Sequence, residues 1–276
     1  THAVIADTVQ LLRLGFVVIY EQHRFGVNQR AKLRFKSEIA PHILVMTATP
    51  IPRTLSMTLY GDLDVSVLDE LPPGRKPIQT LHLTESKRDQ MFAFMKKEIA
   101  LGRQVFVVYP LIKESETMDY KNLEEGYEMI TREFPAPQYI TAVVHGQQKN
   151  ENKAYDMKLF AEGRAHILVA TSVIEVGVDV PNASVMVIES AERFGLSQLH
   201  QLRGRVGRST RHAYAYFTYK PDKNLTEIAE KRLSAIRDFA EFGSGFKIAM
   251  RDLEIRGAGN LLGAEQSGHM MSVGYD

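Results

Sequence analysis

Short runs of β-branched and aromatic residues alternate with longer amphipathic stretches between residues 78 and 219. The runs with the length and composition of strands are Val105–Val108, Tyr139–Val144, Ile167–Val169, Val185–Ile188 and Ala213–Thr218. The stretches with a helical pattern are Arg88–Leu101, Leu123–Phe134 and Lys149–Glu162. Apolar strands separated by helices are typical of a parallel sheet that is covered on both faces. We therefore predict an α/β fold whose functional loops lie at the carboxyl ends of its strands.

The region before this alternation contains two further strand-like runs. These runs are Phe16–Ile19 and Ile43–Met46, and the basic stretch Val27–Lys36 between them resembles a helix. The following segment Leu71–Pro77 is rich in proline, which removes backbone donors, and contains a glycine, which frees the backbone. This composition indicates a linker.

The region after the alternation differs from both. It contains a charged helix-like stretch, Leu225–Phe242, and then glycine-rich turns. We therefore expect three parts, residues 1–75, 78–219 and 220–276. Because the chain starts at Thr1, close to the first strand, we also expect it to be a piece of a longer protein.

Composition narrows the class of protein. The apolar fraction of 44% and charged fraction of 24% are those of ordinary water-soluble domains, and no uncharged apolar run is long enough to span a membrane. The absence of cysteine excludes disulfides and thiolate metal sites, which fits a reducing cytosol. Since the net charge is only +1, a nucleic-acid site must be a local basic patch.

The strongest local signal is a cluster of arginines between glycines. Arg203, Arg205 and Arg208 lie within a few residues of one another, and the stretch from Arg193 to Lys220 has six Lys or Arg and no Asp or Glu. Guanidinium groups bind phosphate oxygens in pairs and stabilise charge in phosphoryl transfer. A solvated basic surface is the alternative, but the glycines favour a close approach of the backbone to a ligand. The cluster therefore indicates a phosphate-binding site.

Polar residues also follow the two early strands. Glu21 and His23 come directly after the first strand, where ATPases carry the carboxylates that hold Mg²⁺ and orient water. Thr47 and Thr49 follow the second strand and suit a loop that exchanges hydrogen bonds between two states. A strand that ends in a polar loop, and a turn stabilised by Pro50, explain the same patterns without a function.

A third polar segment follows the strand Ile167–Val169. Thr171 and Ser172 offer hydroxyls that can contact DNA phosphates, and Gly177 and Asp179 can face a nucleotide. A strand-to-helix turn with a capping hydroxyl is the alternative interpretation.

Taken together, these segments resemble superfamily 2 helicases, and within them the RecG family, over nearly the whole chain. The matching segments are Glu21–His23 (motif II), Thr47–Thr49 (motif III), Ala170–Asp179 (motif V), Gln201–Arg208 (motif VI), and Gly61–Pro77 and Ala191–His200, which are similar to RecG in particular. Three later segments, Lys231–Leu233, Asp252–Gly263 and Glu265–Gly268, are more similar to the transcription-repair coupling factor Mfd. A RecG-type motor with an Mfd-like tail, an intermediate form and a chimera all fit this pattern.

The resemblance implies a RecA-like parallel sheet with helices on both faces. It places the tail of the first lobe in residues 1–75, the second lobe in 78–219 and a translocation motif, a helical hairpin with a loop, in 220–276. It implies ATP and Mg²⁺ as cofactors, and duplex or branched DNA as the partner of a monomeric motor.

The resemblance also implies roles for particular residues. The catalytic group comprises Glu21, Arg205 and Arg208, with Glu21 also beside the metal. Nucleotide binding falls to His23, Gln201, Gly177 and Asp179. DNA contact or coupling falls to Thr47, Thr49, Thr171, Ser172, Arg232, Arg256 and Gln266.

Two departures from the family pattern bear on activity. No Gly-Lys-Ser/Thr phosphate loop occurs in the sequence, and Tyr20 occupies the position of the Asp that holds Mg²⁺. A phenol, with a pKa of about 10, is a poor ligand for a hard cation. We therefore expect little or no ATP hydrolysis by this chain alone.

Three functions remain open. The chain is a motor fragment, a DNA-binding module without turnover, or a platform for protein partners. The last is disfavoured because the sequence shows no polymerase-binding domain.

Overall fold

A computed structural model describes residues 11, 13–21, 40–49, 64–68, 70–110, 116–171, 179–219, 226–238 and 244–255. The chain divides into two compact units, residues 1–66 with 249–276, and residues 67–248. The predicted bounds of three parts stay a prediction. The predicted helix Val27–Lys36 lies outside the described residues.

The first unit contains a pair of parallel strands. Strand β1 (Phe16–Tyr20) pairs with β2 (His42–Met46), so that Tyr20 lies beside Met46. Ile19 is buried, and Val17 and Ile43 pack against it. Both strand-like runs predicted before residue 75 are confirmed.

The second unit is built on a six-stranded parallel sheet of order β3-β8-β7-β4-β6-β5. Its strands are β3 (Gln79–Thr84), β4 (Gln104–Tyr109), β5 (Thr141–Val144), β6 (Ile167–Thr171), β7 (Ala183–Ile188) and β8 (Tyr214–Tyr219). Its helices are α1 (Arg88–Ala100), α2 (Glu116–Glu133), α3 (Asn150–Ala161), α4 (Leu196–Arg203) and α5 (Glu227–Asp238), and α6 (Gly245–Ile255) extends beyond the unit.

The core lies on both faces of the central strands. Every residue of β4, β6 and β7 is buried. On one face Val105 and Val107 pack in a cluster with Met95 of α1. On the other face Phe106 meets Phe160 of α3 with ring centroids 4.9 Å apart. Burial on both faces explains the continuous apolar runs, and the predicted α/β class with helices on both faces is confirmed.

Strand β3 and helix α2 differ from the sequence prediction. Strand β3, Gln79–Thr84, was not predicted, because it lies at the edge of the sheet and carries the polar residues of a half-exposed strand. Helix α2 begins at Glu116, whereas the amphipathic pattern predicted a start at Leu123.

Candidate phosphate and nucleic-acid site

Parallel strands end at one side of the sheet, which we call the carboxyl edge, and begin at the other, the amino edge. The sequence predicted functional residues at the carboxyl edge. Thr171 does end β6 there. Asp179, however, lies just before β7 begins at Ala183, and Arg208 lies in the segment before β8 begins at Tyr214. These two residues are therefore beside the amino edge, because the chain returns there before each new strand.

The structure brings Asp179 and Arg208 together. Arg208 Nη1 donates to Asp179 Oδ1 over 3.1 Å, and Arg208 Nε lies 3.4 Å from the Gly204 carbonyl oxygen. The Arg208 side chain keeps 27% of its exposure and that of Asp179 61%, so a guanidinium and a carboxylate meet at the surface. Two positions predicted from separate motifs thus form one site, whose guanidinium is open to an anion.

The loop that carries Arg208, between α4 and β8, depends on Gly207. Its φ is +74°, and an added Cβ would lie 3.0 Å from Ile78 Cγ1. Residues with a Cβ rarely adopt this backbone conformation, so glycine allows the tight turn that presents Arg208. Arg205, in the same loop, is half-buried, and its backbone N–H donates to the Leu202 carbonyl oxygen over 3.0 Å.

Arg203 differs from its neighbours. It is only 3% exposed, and its Nη1 donates to the Ile236 carbonyl oxygen of α5 over 2.8 Å. Its Nη2 lies 3.2 Å from His200 Nδ1, which accepts this bond as a neutral ring. Burial lowers the pKa of Arg203 to about 10, and burial followed by the charge of Arg203 lowers the pKa of His200 to about 4. Arg203 therefore joins α4 to α5 inside the core.

Several other predicted site residues are either half-buried on helices or outside the described part of the chain. Gln201 and Arg232 are half-buried on α4 and α5. The predicted site residues outside the described part of the chain are His23, Ser172, Gly177, Arg256 and Gln266. Their roles stay predictions.

Thr171 is buried at the end of β6. It is 1% exposed, and within the described part of the chain its hydroxyl has no hydrogen-bond partner. It lies beside Tyr109 of β4 in the sheet register. Contact between this hydroxyl and a DNA phosphate would require the strand end to open, so its DNA role stays a prediction.

In the first unit the ends of β1 and β2 place Glu21 beside Thr47. The Glu21 backbone N–H donates to the Met46 carbonyl oxygen over 2.8 Å. The Thr47 hydroxyl lies 3.2 Å from Glu21 Oε2 and 2.9 Å from the Thr49 carbonyl oxygen, and can donate to either. Residues predicted from motifs II and III are therefore neighbours, as parallel strand ends require.

The described residues form no complete magnesium site here. Among them, no three His, Cys, Asp or Glu residues come close enough together to hold a metal. Tyr20, 68% exposed, contributes a phenol beside the single carboxylate of Glu21. The guanidinium of Arg208, by contrast, fits a phosphate group.

The carboxyl edge of the second unit carries a polar cluster that the sequence did not predict. Arg88 Nη1 and Nη2 donate to Glu189 Oε1 and Oε2 over 2.5 and 3.0 Å, and the Thr218 hydroxyl donates to Oε2 over 2.6 Å. Tyr109 lies nearby, and burial, with the Glu189 charge as the second cause, raises its pKa. We call Arg88, Glu189 and Thr218 the carboxyl-edge clamp. The sequence signal for it was a glutamate directly after an apolar strand.

The amino edge carries two buried or half-buried amides that were also missed. Asn182 donates from Nδ2 to the Gly102 carbonyl oxygen (2.9 Å) and to Gln104 Oε1 (3.1 Å), and its Oδ1 accepts from Arg211 (2.9 Å). The Gln104 Nε2 donates in turn to the carbonyl oxygens of Phe160 (2.6 Å) and Ala165 (2.8 Å). We call the side chains of Gln104 and Asn182 the amide relay.

Comparison with known proteins identifies the fold of this unit. Residues 86–210 match the family model described as helicase conserved C-terminal domain. Two solved helicases share the fold at low sequence identity: S. cerevisiae Dbp5 L327V bound to RNA and ADP BeF3 (18% identical, TM-score 0.54, 83% of this chain and 58% of that chain) and Mycobacterium smegmatis Lhr (15%, 0.55, 83% and 31%). The six-stranded unit is a RecA-like C-terminal lobe of a helicase.

The similarity to one group of helicases extends over nearly the whole chain. It is 52% identical over 97% of its length to ATP-dependent DNA helicase RecG of Synechocystis sp., and 49% identical over 98% to that of Aquifex aeolicus. A solved structure of RecG bound to a three-way DNA junction matches 94% of the chain with 43% identity and a TM-score of 0.67. The chain is therefore a relative of the RecG helicases.

The match covers only part of those proteins. The chain spans 31% and 34% of the lengths of the Synechocystis and Aquifex relatives, and 32% of the solved RecG chain. Among the described helices, none combines the length and apolar composition that crossing a bilayer requires.

Proposed function

We propose that this chain is the second lobe, with part of the first, of an ATP-dependent DNA helicase that moves on duplex or branched DNA in repair and recombination. The observation that carries the proposal is the meeting of Arg208 with Asp179 at 3.1 Å, since two separately predicted motif residues form one surface site. The RecG similarity supports it, because it covers 97% of the chain. A monomeric motor in the bacterial cytosol is part of the proposal.

The proposed chemistry is charge stabilisation of phosphoryl transfer. When bound, ATP with Mg²⁺ supplies the phosphoryl group and the charge that drives the cycle. Arg205 and Arg208 bind phosphate oxygens through their guanidinium groups, which stabilises charge as it develops. Gln201 of α4 and Asp179, in the segment before β7, are assigned to nucleotide binding, and Glu21 is assigned to orienting the attacking water.

The proposed contact with DNA is to its phosphate backbone. The residues assigned to it are Thr47, Thr49, Thr171, Ser172, Arg232, Arg256 and Gln266. Such contacts release counterions, so the affinity falls steeply with salt and depends little on base sequence.

A DNA-binding module without turnover is the second candidate. The observation that favours it is Tyr20, since a phenol replaces the carboxylate that a magnesium ion needs. The RecG similarity covers 97 to 98% of the chain, including most of the segment that resembles Mfd, so the Mfd alternative gains no separate support.

The experiment that separates the candidates restores the missing carboxylate. We expect the complete protein with Tyr20→Asp to hydrolyse ATP when branched duplex DNA is added, at least about tenfold faster than the unchanged protein, because Mg²⁺ regains a ligand. The control Tyr20→Phe keeps the aromatic ring and gains nothing. If Tyr20→Asp binds DNA with a steep salt dependence and still hydrolyses no ATP, the motor proposal fails and the module is supported.

A further inference from the structure

The segment before β7 and the segment before β8 touch each other at two places on the amino edge. Arg208 donates to Asp179 over 3.1 Å, and Arg211 donates to Asn182 over 2.9 Å. Asp179 and Asn182 are three residues apart in the first segment, and their partners Arg208 and Arg211 are three residues apart in the second. The position of Arg208 depends on where the segment from Asp179 to Asn182 is held.

That segment is held through Asn182. An asparagine side chain has two N–H donors and one carbonyl acceptor, and all three functions are used here, with Gly102, Gln104 and Arg211. Such a side chain has one orientation that satisfies every partner. Between Asp179 and β7 the backbone turns tightly, since the Ala183 N–H donates to the Val180 carbonyl oxygen over 2.9 Å.

Gln104 fixes the orientation of Asn182. Gln104 is 3% exposed, and both N–H donors of its Nε2 go to carbonyl oxygens, those of Phe160 and Ala165. If its amide flipped, Oε1 would face these two carbonyl oxygens, acceptor against acceptor, so Oε1 must face Asn182 instead. The Gln104 backbone N–H also donates to the Asn182 carbonyl oxygen over 3.2 Å.

We infer that Gln104 and Asn182 are positioning residues that set the site formed by Asp179 and Arg208. The amide relay joins the segments before β4, β6, β7 and β8. The position of Arg208 depends on the segment before β8, which contains it, and on the segment before β7, which contains its partner Asp179. The inference rests on the proposed function in so far as Arg208 binds a nucleotide phosphate.

The test uses Asn182→Asp, which keeps the size and the acceptor for Arg211 and removes both donors. The new carboxylate faces the Gly102 carbonyl and Gln104 Oε1, which repel it, so the segment shifts. In the complete protein with Tyr20→Asp, we expect the dissociation constant of a non-hydrolysable ATP analogue to rise about three- to tenfold. Arg208→Ala is expected to raise it about tenfold or more, because a charge-assisted bond to phosphate is lost.

The decisive measurement is the double variant. If Asn182 acts through Arg208, Asn182→Asp adds no further loss of affinity once Arg208 is alanine. A merely structural role predicts that the two losses multiply, and that outcome overturns the inference.

The carboxyl-edge clamp provides the matched control. Like Asn182→Asp, the substitution Glu189→Gln exchanges an amide and a carboxylate. Glu189 is 4% exposed and is bonded to Arg88 and to the Thr218 hydroxyl. We expect it to lower the melting temperature and to leave the affinity for the analogue unchanged. If it weakens affinity as much as Asn182→Asp does, the effect is general loss of stability and the inference is wrong.

Hydrogen exchange separates this inference from the proposed function. We expect Asn182→Asp, but not Glu189→Gln, to speed the exchange of amides in residues 204–211. Unchanged exchange there overturns the positioning role. Faster exchange in a protein that binds no ATP analogue keeps the positioning role and rejects the motor.

Discussion

The two edges of the six-stranded sheet hold polar groups in different ways. At the carboxyl edge Glu189 is clamped by Arg88 and Thr218, and its side chain is 5% exposed. At the amino edge the amide relay is neutral and buried in part, and beside it Arg208 keeps 27% of its exposure. A buried charge whose bonds are all satisfied within the protein serves the fold, whereas a charge held at the surface by one carboxylate remains able to bind an anion.

The largest expected effect comes from the exposed arginine. In the complete protein with Tyr20→Asp, we expect Arg208→Ala to lower DNA-stimulated ATP turnover by about 10³-fold, as loss of a phosphate-binding arginine does in phosphoryl transfer. DNA affinity, measured by titration of labelled duplex, should change little.

Arg211→Ala is the control for that substitution. Arg211 is exposed, three residues further along, and bonded to Asn182 rather than to a carboxylate. We expect less than about tenfold loss of turnover, since an exposed pair contributes little. Equal loss of turnover and of DNA binding in Arg208→Ala would show instead that Arg208 is structural.

A smaller effect is expected on the pH dependence of folding stability. It arises from His200 of helix α4, which leads from one edge of the sheet to the other. The folded protein holds the pKa of His200 at about 4, whereas an unfolded histidine titrates near pH 6.5. The unfolded chain therefore takes up a proton first, so stability is lost as the pH falls below about 6.5, and the loss levels off near pH 4. The contribution is on the order of 3 kcal/mol between these values.

Thermal melting of the chain between pH 7 and 4 checks this contribution. The variant His200→Asn keeps an acceptor for Arg203 and should show a shallower acid slope. His212→Asn, at an exposed residue bonded to Lys76 beside the amino edge, is the control and should keep the original slope. Parallel slopes in all three proteins would contradict the assignment.

The smallest effect concerns packing at the carboxyl edge. A glycine inside a helix is normally less stable than alanine by about 1 kcal/mol, but a Cβ on Gly126 of α2 would overlap the Tyr109 phenol. We therefore expect Gly126→Ala to destabilise the chain by about 1 to 2 kcal/mol in thermal or denaturant unfolding, because overpacking outweighs helix propensity.

Tyr109→Leu tests the cause of that loss, since it removes the ring atoms that the new methyl group would meet. The double variant should lose less stability than the sum of the two single variants. Tyr109→Phe leaves most of the ring in place and should not rescue Gly126→Ala. Strict additivity with Tyr109→Leu would show that the cost lies elsewhere.

Much of the fold followed from periodicity. The strands from Val105 to Thr218 are apolar on both faces, and only a sheet covered on both faces buries such runs. Strand β3 escaped prediction because an edge strand is half-solvated and lacks that pattern. The motif residues Glu21 and Thr47 were predicted separately, as a catalytic and a DNA-contacting residue, and their contact follows from the parallel pairing of the strands that precede them.

The sequence by itself determined the sheet, the helices over it and the arginine segment, because hydrophobic periodicity and residue chemistry are local properties. Only the tertiary structure decided that Arg203 lies in the core while Arg208 meets Asp179 at the surface. It also decided that Gln104 and Asn182 bond to each other. The physical reason is that these outcomes depend on which strands are neighbours, and neighbouring strands in this sheet come from distant parts of the chain.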